Sequence, residues 1–165
     1  NILNFKKKTY KVFFNSDRKS LIFNFLIFLI FIQIIFGSFV LFLDSGHVYQ
    51  TWPLMNQTYF PDDIDLGKIG YLLNFNDQSL IQFYHRNIAY FIAFYVLFLG
   101  VYIYKKKINY LFNHYSLVLT LMFFQIFLGI FTLTSGLNIY LASSHQIGSL
   151  LLILSVINLH YHQIK

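Results

Sequence analysis

Four stretches of the chain are apolar all round, without the polar stripe of a surface helix or the alternation of a half-buried strand. They run from Leu21 to Leu43, from about Leu80 to Tyr104, from about Tyr115 to Ser135 and from about Leu141 to Leu159. At ~1.5 Å per residue, about 20 helical residues cross a hydrocarbon core. Backbone groups in hydrocarbon find partners only in helices or in a closed barrel. Unbroken runs such as Leu26 to Ile32 lack the dyad pattern of barrel strands. The pattern therefore predicts an all-α integral membrane protein, a four-transmembrane-helix bundle.

The polar segments between the spans fix its orientation. Lys6, Lys7, Lys8, Lys11, Arg18 and Lys19 precede the first span, Lys105, Lys106 and Lys107 follow the second, and Lys165 ends the chain. The segment between the first two spans holds Asp44, Asp62, Asp63, Asp65 and Asp77 against Lys68 alone. By the positive-inside rule both termini face the cytoplasm or a mitochondrial matrix. The expected layout is a basic segment over residues 1–20, a transmembrane domain over 21–159 with an outer loop at 44–79, and an inner tail at 160–165. The first span is too long, and lacks the small-residue cleavage site, for a signal peptide.

Composition sharpens this picture. Of 165 residues, 57% are hydrophobic, 21% aromatic and only 11% charged, against about 25% charged in soluble domains. The formal net charge of +6 reads as topology and contact with membrane lipid, so nucleic acid is not an expected partner. There is no Cys, which excludes disulfides, thiolate metal sites and thiol catalysis. All six acids are Asp. The absence of Glu bears on catalysis, and no catalytic residue is assigned.

Two five-residue strings are alike: Gln33-Ile34-Ile35-Phe36-Gly37 in the first span and Gln125-Ile126-Phe127-Leu128-Gly129 in the third. Each is followed by an outer connection and a returning span with a histidine near its start, His85 or His145. The bundle thus reads as two parallel helix-pair repeats, the first enlarged by the long outer loop. An ionisable residue inside a span is a functional candidate. His85 and His145 each lie about five residues into their spans, hence about 7 Å deep at ~1.5 Å per residue. Matched depth on two helices suits a planar ligand clamped from both faces, and haem iron accepts imidazole axially. Ala89, Ala93, Ala142, Gly148 and Ser149 leave space beside them. The alternative is a pair of hydrogen-bonded interhelical or interfacial histidines.

Arg86 is a candidate for a haem propionate, or else for a loop Asp or a lipid headgroup. Trp52 is either an interfacial anchor or part of a lid formed by residues 44–79. His47 is held in reserve as a supporting group. His114, His160 and His162 are expected at the interface, and Met55 is set aside as a ligand because two histidines are available.

The strings Leu43-Asp44-Ser45-Gly46-His47-Val48-Tyr49-Gln50-Thr51-Trp52-Pro53-Leu54-Met55, Gln82-Phe83-Tyr84-His85-Arg86-Asn87-Ile88-Ala89-Tyr90, Gln125 to Leu133, and Leu141-Ala142-Ser143-Ser144-His145-Gln146 together resemble the heme A synthase family, membrane enzymes of haem a biosynthesis. Family members have two related four-helix halves, and this chain resembles the second. The resemblance implies a b-type haem held by His85 and His145 as iron ligands, and a reaction that oxidises a methyl group of haem o to the formyl of haem a. It also places the substrate site and a carboxylate in the other half. The chain is accordingly expected to be the haem b-binding half of a split enzyme, working with a partner chain that carries the catalytic half and alongside cytochrome oxidase assembly partners. A stand-alone bis-histidine cytochrome and a structural subunit of a respiratory complex are the competing readings. The expected location is the mitochondrial inner membrane, with a bacterial plasma membrane as the alternative.

Overall fold

The computed structural model describes residues 17–64 and 69–165. Four helices dominate it: α1 (Arg18–Phe42), α2 (Gln78–Lys105), α3 (Phe112–Thr134) and α4 (Ile139–Ile164). All four are long and apolar enough to cross a membrane, and no strand is present among the described residues. The basic residues from Lys6 to Lys11, together with Asp65 and Lys68, lie outside the described residues.

Three helix starts are set by side-chain caps that satisfy otherwise orphaned N–H groups. The Asp17 carboxylate accepts from Ser20 N at 3.1 Å, and Asp77 from Leu80 N at 2.9 Å. Asn138 accepts from Tyr140 N and Leu141 N. These caps start the helices two or three residues before the apolar runs. α2 and α3 each end in a turn whose N–H reaches back five residues, Ile108 to Ile103 and Leu137 to Thr132, with Lys107 and Gly136 at positive φ. α4 continues five residues beyond the apolar span because its last turns still pack: Leu159 and His160 have no exposed surface.

The helices are arranged in order around a square, α1 beside α2 and α4, and α3 beside α4 and α2. α2 and α4 are therefore diagonal. The N-terminal end of α1 meets the C-terminal end of α4, where Ser20 Oγ donates to Gln163 Oε1 at 3.3 Å. Between α2 and its neighbours, Tyr95 OH donates to Ile22 O and Tyr115 OH to Val96 O. Gly100 is what admits the Tyr115 ring, since a Cβ there would lie 2.1 Å from its hydroxyl.

Packing is uneven along the bundle axis. The main core joins Phe23, Leu26, Leu29 and Ile30 of α1 to Ile92, Val96, Leu99 and Ile103 of α2, Val118 and Met122 of α3, and Leu152, Val156 and Leu159 of α4. Toward the loop end, α1 has no buried residue beyond Ile30, α4 none before Gly148, and α2 none between Gln82 and Ile92. Only α3 continues its buried row, through Gln125, Leu128 and Thr132. The outward faces carry exposed aromatic residues such as Phe28, Phe31, Phe94 and Phe127. Soluble monomers rarely expose so much contiguous apolar surface, whereas lipid solvates it.

Candidate functional site

The loosely packed level is where His85 and His145 sit, seven residues into α2 and six into α4, about 10 and 9 Å along the axis at ~1.5 Å per residue. They approach from diagonal helices, and the two imidazoles are within electrostatic reach of each other. Each ring rests on a glycine of the adjacent helix. A Cβ on Gly37 would lie 3.2 Å from Cε1 of His85, and a Cβ on Gly129 would lie 3.2 Å from Cε1 of His145. Gln33 stands one turn before Gly37 on α1, and Gln125 one turn before Gly129 on α3. Neither Nδ1 reaches hydrogen-bond geometry, and both are buried.

The side chains of the two glutamines differ. Gln33 Nε2 lies 3.3 Å from His85 Nε2 and donates to the His85 carbonyl at 3.1 Å. Gln125 turns toward Gly148, where a Cβ would stand 1.9 Å from its Nε2. The glutamines were visible in sequence as members of a repeat, not as neighbours of the histidines. The signal was present: Gln and Gly four residues apart share a helix face.

The loop from Asp44 to Asp77 folds back on the first turns of α2. Arg86 fastens it, donating from Nη2 to Tyr49 O at 2.9 Å and from Nη1 to Thr51 O at 3.0 Å and Leu54 O at 3.4 Å. Neither a loop Asp nor any other carboxylate is its partner among the described residues. Gln82 Nε2 donates to Tyr49 O as well. Trp52 Nε1 donates to Tyr90 OH at 3.0 Å, Tyr59 OH bonds Asn87, and Phe60 packs edge-on against Phe83. Gly46 lies against Leu137, so the loop also touches the turn between α3 and α4. Tyr49 is almost fully buried, and its hydroxyl donates to Asp62 at 2.6 Å and Asp63 at 2.9 Å. Burial, reinforced by these two carboxylates, pushes the Tyr49 hydroxyl above the ordinary tyrosine range. In the sequence Tyr49 belongs to the Leu43-to-Met55 string, with nothing there to pair it with Asp62 and Asp63.

The remaining candidates are dispersed. His47 is exposed and faces Asp44 and Gln50. Met55 is buried beneath the loop, its N–H bonded to Thr58 O. At the opposite end, His114 and His162 stack with ring centroids 3.8 Å apart, and Asn158 contacts both. His160 corrects the interfacial expectation: its ring has no exposed surface and lies against Phe23. Among the described residues no three His or Asp side chains cluster as a metal site.

A haem would make use of what this level offers. The two imidazoles stand on diagonal helices, each backed by a glycine and each with a buried Nδ1 that no hydrogen bond satisfies. The Gln33 amide, which is not covalently committed, would have to leave Nε2 of His85.

Residues 2–157 match the COX15-CtaA family, described as cytochrome oxidase assembly protein. The chain is 39% identical over 142 residues to the heme A synthase of Pelagibacter ubique, covering 86% of this chain and 42% of that protein. It is 40% identical over 80 residues to the enzyme of Bartonella quintana, covering 48% of this chain and 22% of that one. With the heme A synthase of Flavobacterium psychrophilum it shares 41% over 73 residues, 43% of this chain and 22% of the other. The chain spans less than half the length of these bacterial relatives. No solved structure matches it. The chain belongs to the heme A synthase family.

Proposed function

We propose, from membership of the heme A synthase family, that the four helices form the haem b-holding unit in the conversion of haem o to haem a, with His85 and His145 as the two axial ligands. The observation that carries this reading is the pair of glycine-backed imidazoles on diagonal helices, at the one level where the bundle core is not closed. When bound, the haem supplies one-electron redox chemistry at its iron. The protein's part is positional. Gly37 and Gly129 let each ring approach its neighbouring helix. Arg86 holds the loop over α2 through three carbonyls, and its remaining N–H donors are available to a propionate.

Further parts of the reading rest on the sequence pattern. The Gln-to-Gly spacing in α1 and α3, with each glycine under its own histidine, supports two parallel helix-pair repeats. The basic residues around Lys19 and Lys105 to Lys107 support placing both helix-bundle termini on the cytoplasmic or matrix side. Oxidation of the methyl group calls for a second four-helix unit with the substrate site, which we expect to associate with this one.

The test is purification in mild detergent with haem supplied. The expected result is a low-spin b-type spectrum that is lost in His85→Ala and in His145→Ala. Spectra that survive both substitutions would overturn the ligand assignment. Retention of haem without any associated second unit, and without effect of the chain on cellular haem a, would favour the lone-cytochrome reading.

A further inference from the structure

We propose that the end of the bundle opposite the loop binds the phosphate headgroup of an anionic phospholipid. A cavity of about 310 Å³ opens there between the start of α1, the end of α2 and the last turn of α4, within the range of small-ligand pockets. Lys19, Lys106 and Lys107 line it, with Tyr102, Tyr110 and Gln163. All of these carry donors. The Gln163 Oε1 already accepts from Ser20 Oγ, so its amide N–H₂ is what it has left for a ligand.

The three ammonium groups have no carboxylate partner among the described residues. Of the described Asp residues, Asp44, Asp62, Asp63 and Asp77 lie at the other end, and Asp17 caps α1 through Ser20 N. Uncompensated charge around a concavity is a site for an anion.

Lys107 is a second, independent observation. It has φ 53° in the turn that closes α2, a position helices ordinarily give to Gly because a Cβ is unfavourable there. A lysine at that position accepts backbone strain and places its ammonium at the cavity.

A lipid suits the site better than free phosphate because of what flanks it. Leu21, Val101 and Tyr104 are exposed on the ends of α1 and α2 that supply the cavity, and both helices are long enough to cross a membrane. Acyl chains can lie along that apolar surface while the headgroup enters the basic cavity, as in other basic pockets between transmembrane helices.

Native mass spectrometry of the full chain in detergent, titrated with phosphatidylglycerol or phosphatidylcholine, tests the proposal. The expected result is a preference of roughly tenfold or more for phosphatidylglycerol. Lys106→Gln/Lys107→Gln should abolish that preference, whereas Lys105→Gln/Lys165→Gln, which removes the same charge elsewhere, should keep it. Lys107→Gly should raise thermal stability while weakening lipid binding, an outcome a purely structural role for this lysine would not produce. Equal effects of the two double variants, or no preference between the lipids, would overturn the proposal. Inorganic phosphate at matched ionic strength is expected to leave the lipid bound. Displacement by phosphate that depends on Lys106 and Lys107 would assign the cavity to the free ion and refute the lipid.

Discussion

The glycines beneath the two histidines give the sharpest test of how the rings are held. In Gly37→Ala the new Cβ would lie 3.2 Å from Cε1 of His85, and in Gly129→Ala the same distance from Cε1 of His145. Carbon atoms pack best at ~3.5–4.0 Å, so each ring must retreat by about 0.3–0.8 Å. An imidazole without iron can tilt that far at little cost. In the haem-free protein the added strain of ~1–3 kcal/mol is offset by ~1 kcal/mol of helix propensity, for a net loss of about 0–2 kcal/mol. A ligating imidazole has less freedom, because functional geometry tolerates only ~0.5 Å. Disturbing the support of a metal ligand typically costs ~10–100-fold in affinity, so about tenfold weaker haem retention is expected for each alanine variant. Haem content per chain from the absorption spectrum, and the thermal midpoint of the haem-free protein, separate the two effects. Valine enlarges the intrusion, and full haem retention in Gly37→Val and Gly129→Val would refute the reasoning.

Other substitutions probe the loop and the interhelical contacts. Arg86→Lys keeps the charge but replaces a planar fork with a point donor. Losing one or two charge-assisted bonds to Tyr49, Thr51 and Leu54 carbonyls, after allowance for partial exposure, should cost about 2 kcal/mol of loop anchoring. Faster proteolytic nicking between residues 49 and 58 and altered emission of Trp52, the sole tryptophan, would report it; unchanged nicking counts against the anchor. Gly100→Ala drives a Cβ to within 2.1 Å of the Tyr115 hydroxyl and 2.5 Å of Cζ, so the bond to Val96 O must break. Overpacking and the lost bond, less the propensity gain, give a net cost of about 1–3 kcal/mol, read as a lower thermal midpoint. Adding Tyr115→Ala should then cost less than the sum of the two single changes. The raised Tyr49 hydroxyl gives the loop a term that is complete below the ordinary tyrosine value of ~10 and is lost as pH climbs through the higher folded value. Trp52 emission should hold steady from neutral pH to about 10 and change above it, and Tyr49→Phe should remove the Tyr49 contribution to that alkaline change.

The legible parts of the fold were those governed by solvent. Lipid requires a long apolar stretch whatever the tertiary contacts, so the four spans could be read directly. The ends were less legible because they depend on polar atoms at single positions, such as the Asp17, Asp77 and Asn138 caps. The sequence Leu159-His160-Tyr161-His162 looks like an interfacial tail, yet α1 brings Phe23 against His160 and closes it off. Pairing across the fold was not legible. Arg86 sits 37 residues from the Tyr49 carbonyl it holds, and no local pattern prefers a backbone carbonyl to one of several nearby Asp residues. Which ring fills the gap above each glycine follows only from the square arrangement of the helices.

That arrangement has a consequence for stability along the bundle axis. In lipid, apolar helices gain little by hiding from water, so association rests on close packing and interhelical hydrogen bonds. Both are concentrated between Ser20 and Ile30, Ile92 and Ile103, and Leu152 and His160. Near Gln33 to Phe42 and Ile139 to Ile147 no residue is buried, although Gln33 donates to the His85 carbonyl there, so a ligand at this level contributes packing that the chain does not. Binding stabilises by RT ln(1 + [L]/Kd), about 2.7 kcal/mol at a hundredfold excess over Kd. Because the tightly packed half is held by its own contacts, removal of haem should loosen only the other half. Amide exchange in residues 33–42 and 139–147 should accelerate by up to about a hundredfold on haem depletion, the factor equivalent to that stabilisation, while residues 20–30 and 92–103 stay protected. His85→Ala should reproduce the depleted pattern even when haem is supplied. Uniform acceleration along all four helices would mean that the bundle opens as one unit, and the division of the core into a self-sufficient half and a ligand-dependent half would be wrong.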